Sequence, residues 1–153
     1  MRISAKADYA VRAAIELTNA DRDSPIKGEA VATAQSIPLK FLENILNDMR
    51  HAGLIASRRG ADGGYWLALP AAEISVADVI RAVEGPLATV RGERPDQVEY
   101  DGSAEPLQKV WIAVRAALRS VAEEVTLEHL ASGDLPKNVT ELCKDPKAWE
   151  VAR

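Results

Sequence analysis

Lys40, Glu43, Asn44, Asn47, Arg50 and His51 share one stripe of a segment whose other stripe is apolar. On that second stripe Leu42, Ile45, Leu46 and Met49 recur at i, i+3, i+4 and i+7. Arg58-Arg59-Gly60 follows a few residues later. No nucleophile is paired with a base, and no phosphate loop or metal-ligand spacing is visible, so these residues offer hydrogen bonds and charge rather than bond making. Set in a major groove, Lys40 can donate to guanine acceptors or to phosphate, Glu43 can accept from the cytosine amine, and Asn44 or Asn47 can bridge adenine. Any surface helix is polar on its outer face, so the stripe alone also reads as an ordinary solvated side.

The elements that would position these groups can be read from the spacing. The pattern predicts a first helix from Ser4, its N-cap, to about Ala20, with Tyr9, Ala10, Ala13, Ala14 and Leu17 at helical spacing. A second helix over Lys27 to Ser36 is anchored by Ala30, Val31 and Ala34, and Ser36-Ile37-Pro38 stops it and starts the third. Gly53 closes the third helix. Leu54 to Ser57 and Tyr65 to Leu69 then read as two strands joined by Arg58 to Gly64. Arginine at such a tip can enter a narrow minor groove, and the glycines allow close backbone approach, although RRGADGG alone could be a plain turn. Lys6 and Tyr9 could hold phosphates, with Tyr9 equally suited to the core.

Charge and composition narrow the class. The chain has 153 residues, is 47% hydrophobic and carries a formal net charge of -4, enough for one domain and an appendage. Residues 1 to 70 carry nine Lys and Arg against eight Asp and Glu, and residues 71 to 153 carry ten against fifteen. A DNA face can therefore be locally basic within an acidic molecule. With no long apolar run and no signal-peptide layout, no membrane partner is expected and the location expected is cytoplasmic. The single cysteine, Cys143, excludes an internal disulfide, and the two histidines form no local metal spacing. His51 reads as a helix-end surface residue and His129 as a cap on the last turn of the long helix.

Ser75 caps a fourth helix through Val76, Val79, Ile80 and Val83, ended by Glu84-Gly85-Pro86. Gly85 to Glu105 reads as a long loop or partly mobile sensor segment. From Pro106, Leu107, Trp111, Val114, Leu118, Val121 and Val125 alternate steps of four and three, a seam that needs a partner, most economically a second copy. Thr126 to Ala131 suggests a short helix, and past Gly133 a loosely packed tail is expected, with Trp149 as its anchor. The expected division is 1–84, a DNA-binding domain; 85–105, the loop; 106–132, a dimerisation region; and 133–153, the tail.

MRISAKADYAV, IPLKFLENIL, HAGLIASRRGADGGYWLA and ISVADVIRAVEG, in that order over about residues 1 to 85, resemble the IscR/NsrR/CymR-type, or Rrf2, transcription regulators. The resemblance implies a mainly α fold with a small β-hairpin wing, a winged helix-turn-helix domain plus long dimerisation helix. It implies a homodimer, usually a repressor, on a roughly palindromic double-stranded DNA operator. Lys40 and Glu43 fall where the family reads bases, and Arg59 where it enters the minor groove. Pro38 replaces a small hydroxyl residue common in cluster-binding members, so base preference does not carry over. Those members hold an iron–sulfur centre on three closely spaced cysteines before the long helix. Gly85 to Leu107 has none, and Gln108 stands where some members place a further ligand. The resemblance thus implies a member without a cluster or other cofactor.

The DNA-binding set expected is Lys6, Tyr9, Lys40, Glu43, Asn44, Arg50, Arg58, Arg59 and Gly60, and the signal is a small molecule, a protein effector or the redox state of Cys143. The competing reading is a winged-helix protein-interaction adaptor that does not read DNA. An enzyme is not expected.

Overall fold

Alanine recurring at helical spacing lets a helix approach its neighbours closely, and the first helix uses this fully. In the computed structural model, which describes residues 1–151, α1 (Ala5–Glu16) buries Ala7, Ala10, Ala13 and Ala14 and runs into a short 3-10 turn at Leu17–Asn19. The Ser4 hydroxyl accepts from the Ala7 N–H at 3.0 Å, the expected N-cap. Around α1 pack α2 (Gly28–Gln35), α3 (Leu39–His51), α4 (Val76–Glu84) and α6 (Leu127–Ser132).

The α2–α3 turn depends on Ser36, whose backbone is left-handed at φ 53°. The Ile37 N–H returns to the Ala32 carbonyl at 2.9 Å, which drives the Ile37 side chain into the core. Because α2 begins at Gly28, its inward stripe falls on Val31 and Ala32; Ala30 and Ala34, expected as anchors, are exposed. The apolar stripe of α3 is fully buried at Leu42, Ile45, Leu46 and Met49.

The hairpin pairs β1 (Ile55–Arg58) with β2 (Gly64–Leu67), Ile55 opposite Leu67 and Arg58 opposite Gly64. Its second strand stops short of the expected Leu69, which is exposed. Two strands alone are marginal. Ile26 supplies a third rung, its N–H donating to the Tyr65 carbonyl at 3.0 Å and its carbonyl accepting from the Tyr65 N–H at 2.8 Å. This approach requires bare backbone: a Cβ on Gly64 would lie 2.6 Å from the Ile26 carbonyl oxygen, and one on Gly63 2.1 Å from that of Arg58.

Ser75 and Asp78 form a reciprocal capping box on α4. The long helix, α5 (Leu107–Ala122), ends earlier than the seam suggested, so Val125 lies beyond it and is buried within its own chain. There the chain doubles back: the Val76 N–H donates to the Val125 carbonyl at 2.8 Å and the Leu127 N–H to the Ile74 carbonyl at 2.9 Å. Leu127 enters the main core with no exposed surface. His129 caps not the long helix but the start of α6, its Nδ1 accepting from the Thr126 N–H at 3.1 Å.

Glu123 fixes α5 to α4. Its carboxylate accepts from Arg119 at 2.8 Å and also pairs with Arg81, and these two guanidinium groups lower its pKa to about 2. The segment between α4 and α5 contains short 3-10 turns at Pro95–Gln97 and Gly102–Ala104, and buries Leu87, Pro95 and Val98. Gln108 donates to the Val98 carbonyl at 2.8 Å and Arg115 to that of Leu87 at 3.3 Å, tying this segment to α5. The tail is more regular than expected, with α7 at Lys137–Leu142, and Trp149 is no anchor: it is 76% exposed, its indole N–H bonded locally to the Cys143 carbonyl. Among the described residues no helix is long and apolar enough to cross a membrane.

Candidate nucleic-acid interface

Burial of one stripe of α3 obliges the other to face outward, and Lys40, Glu43, Asn44, Asn47 and Arg50 are all exposed. The helix is held by its buried side chains, so these polar groups start from a rigid support. At its C-terminal end Arg50 donates to Asn47 Oδ1 at 2.8 Å and to Ser57 Oγ at 3.4 Å, linking the helix to the first strand of the wing. Asn47 is thereby engaged with Arg50, while among the described residues the side chains of Lys40, Glu43 and Asn44 have no hydrogen-bond or ion-pair partner.

Arg58, Arg59 and Gly60 are exposed on the wing, where Gly60 turns at φ 106°. Arg58 is steadied by a bond to the Asp62 carbonyl at 3.0 Å, while Arg59 enters no ion pair among the described residues. The tip therefore offers one braced and one free guanidinium.

Lys6 and Tyr9 occupy the junction of α1 with α3. The Lys6 ammonium pairs with Asp48 at 2.8 Å, both side chains about a third exposed. The half-buried Tyr9 ring meets Phe41 edge-on at 5.6 Å between centroids, and the Arg12 guanidinium lies 4.8 Å from its centre. This favours the packing alternative for the Tyr9 ring. Phe41, 41% exposed on α3, and Lys27, exposed beside the wing, were missed by the sequence reading. Lys27 immediately precedes Gly28 at the start of a helix, a position where its proximity to the wing leaves no periodic signal.

Of the expected dimerisation residues, Leu107, Trp111, Val114, Leu118 and Val121 are half-buried on α5. Leu118 packs against its own chain beside Ala77, Leu87 and Ala122. Val110 and Ile112, 50% and 42% exposed, are the more open aliphatic groups of this helix.

Comparison with known proteins agrees with this geometry. The family model Rrf2, described as an iron-dependent transcriptional regulator, matches residues 3–133. Rv1287 of Mycobacterium tuberculosis, an HTH-type transcriptional regulator by name, is 47% identical over 100% of this chain and 95% of its own. The structure of CymR, named as the global cysteine regulator of B. subtilis, covers 86% of this chain and 97% of that one at 34% identity, with a TM-score of 0.72. That of T. potens IscR covers 100% and 93% at 27% identity, with a TM-score of 0.66.

The residues present do not fit an iron–sulfur centre of the cysteine-ligated kind. The one thiol, Cys143, lies exposed in the tail, and no group of three or more His, Cys, Asp or Glu is gathered for a metal among the described residues.

Proposed function

We propose, from the premise that this chain belongs to the Rrf2 family of helix-turn-helix transcriptional regulators, that it is a cytoplasmic, homodimeric repressor that binds its operator without an iron–sulfur cluster. The observation that carries this reading is the outward polar stripe of α3 beside the arginine-tipped wing. Lys40, Glu43 and Asn44 read base edges in the major groove, and Arg59 enters the adjoining minor groove. Arg50, Arg58 and Gly60 meet the backbone, and Lys6 can do so only by exchanging its pairing with Asp48. In the homodimer the α5 faces meet, through Trp111, Val114 and the exposed Val110, and the two recognition helices face half-sites about one helical turn apart. Repression follows if the occupied operator overlaps the site that polymerase needs, with a small molecule or protein effector setting occupancy.

Fluorescence anisotropy of the purified chain with DNA from upstream of its own gene, beside a scrambled duplex and over a range of salt, tests this reading. Tight, salt-dependent preference for the native duplex that survives an iron chelator is expected. Equal, weak binding to both duplexes refutes sequence-specific recognition, and loss of binding on chelation refutes the cluster-free part.

A further inference from the structure

Between the start of α2, the end of α3 and the wing lies an open cleft of about 350 Å3, lined by Lys27, Glu29, Arg50, Ser57, Arg58 and Arg59. Four cations face one carboxylate there, in a chain whose formal net charge is -4. Such a local reversal of sign attracts an anion. Neither Lys27 nor Arg59 enters an ion pair among the described residues, so both are available. Arg50 is already oriented by Asn47 and Ser57, which reduces the ordering cost when it meets a ligand. The backbone of Gly63 and Gly64 lines the same cleft, where the lack of side chains lets a ligand come close.

We infer that this cleft seats a backbone phosphate of the duplex, with Lys27 as a direct contact and Glu29 as the carboxylate that weakens it. The inference rests on the DNA-binding reading above and extends it to residues outside the recognition helix and wing tip. Arg50, Arg58 and Arg59 belong both to the cleft and to the candidate interface, so a duplex lying on α3 and the wing passes its mouth. The four cations and the glycine backbone match a polyanion's sugar–phosphate rail and offer no donor–acceptor pattern that would identify a base. The seat therefore adds affinity and register but no sequence preference.

The test titrates the full-length protein and its Lys27→Gln, Lys27→Arg and Glu29→Gln variants with native upstream and scrambled duplexes at several salt concentrations. Lys27→Gln is expected to weaken binding to both duplexes by the same factor, and to make the slope of log affinity against log salt shallower by about 0.9, one phosphate contact. Lys27→Arg should restore the slope, and Glu29→Gln should strengthen binding to both. Wild-type binding with an unaltered Lys27→Gln slope overturns the phosphate seat alone. So does a loss confined to the native duplex, which would mark a base contact. A wild-type protein that binds neither duplex even at the lowest salt overturns the underlying DNA-binding reading and this inference with it.

Discussion

Replacing Gly64 by alanine should detach the wing from the helical body. The added Cβ would stand 2.6 Å from the carbonyl oxygen of Ile26 and 2.7 Å from its carbon, both backbone atoms that cannot rotate away. Gly64 also has φ 153°, a region that side chains disfavour. Relief of the clash requires separating Ile26 from Tyr65, whose two backbone hydrogen bonds of 3.0 and 2.8 Å make the third rung of the sheet. Each such bond contributes about 1 kcal/mol, and retained backbone strain costs about 1–3 kcal/mol. The expected destabilisation is therefore about 3–5 kcal/mol. Gly60→Ala is the control: it has φ 106° but nothing within 4 Å of the new Cβ, so only strain of about 1–2 kcal/mol applies. Urea unfolding followed by far-UV circular dichroism gives the two stabilities, and hydrogen exchange over residues 55–67 locates the loss. Protection should fall at Tyr65, with the buried α3 residues still protected in the folded state. A Gly64→Ala protein no less stable than Gly60→Ala, with Tyr65 still protected, would refute the close-approach argument.

Three further outcomes are expected. Arg59→Ala should weaken operator binding about tenfold or more, the scale of about 1.5–3 kcal/mol for losing a hydrogen bond to a charged group; unchanged anisotropy titrations would remove this arginine from the contact. For Glu123, the folded-state pKa of about 2 lies below the ordinary 4.5, so its stabilising effect is complete above pH 4.5 and lost as pH falls towards 2. Glu123→Gln should accordingly be less stable than wild type near neutrality, and the gap should close across that acid range in pH-dependent unfolding. Val110→Asp, placing a charge on an exposed apolar position of α5, should shift sedimentation from dimer to monomer while leaving helix content intact; a persistent dimer would place the interface elsewhere.

Much of the winged unit was legible because its signals are local. The i, i+3, i+4, i+7 stripe of α3 maps one-to-one onto Leu42, Ile45, Leu46 and Met49, all fully buried. The Ser4 and Ser75 caps formed as read, since their partners lie three residues away. The failures came where a contact from a distant part of the chain decided the outcome. The steps of four and three continued through Val125, yet backbone bonds linking Val125 and Leu127 to Val76 and Ile74 draw the chain out of the helix. His129 followed the same junction and capped the next helix instead of the last. In α2 the true inward residues depended on where the helix began, which composition left open between Lys27 and Gly28. The cleft beside the wing was invisible for a related reason: Lys27 and Arg58 line it from 31 positions apart, and no periodicity joins them.

Leu127 belongs to the same core as Leu42 and Leu46, although more than forty residues of chain separate it from the end of α4. The winged unit is consequently not a detachable module. A fragment cut after Glu84 would leave an unfilled socket among α1, the Leu17–Asn19 turn and the Ala71–Glu73 turn, and would leave the Ile74 carbonyl and the Val76 N–H without their hydrogen-bond partners. The segment that leaves the long helix thus closes the core of the winged unit, so the two halves are joined by shared packing as well as by the chain between them.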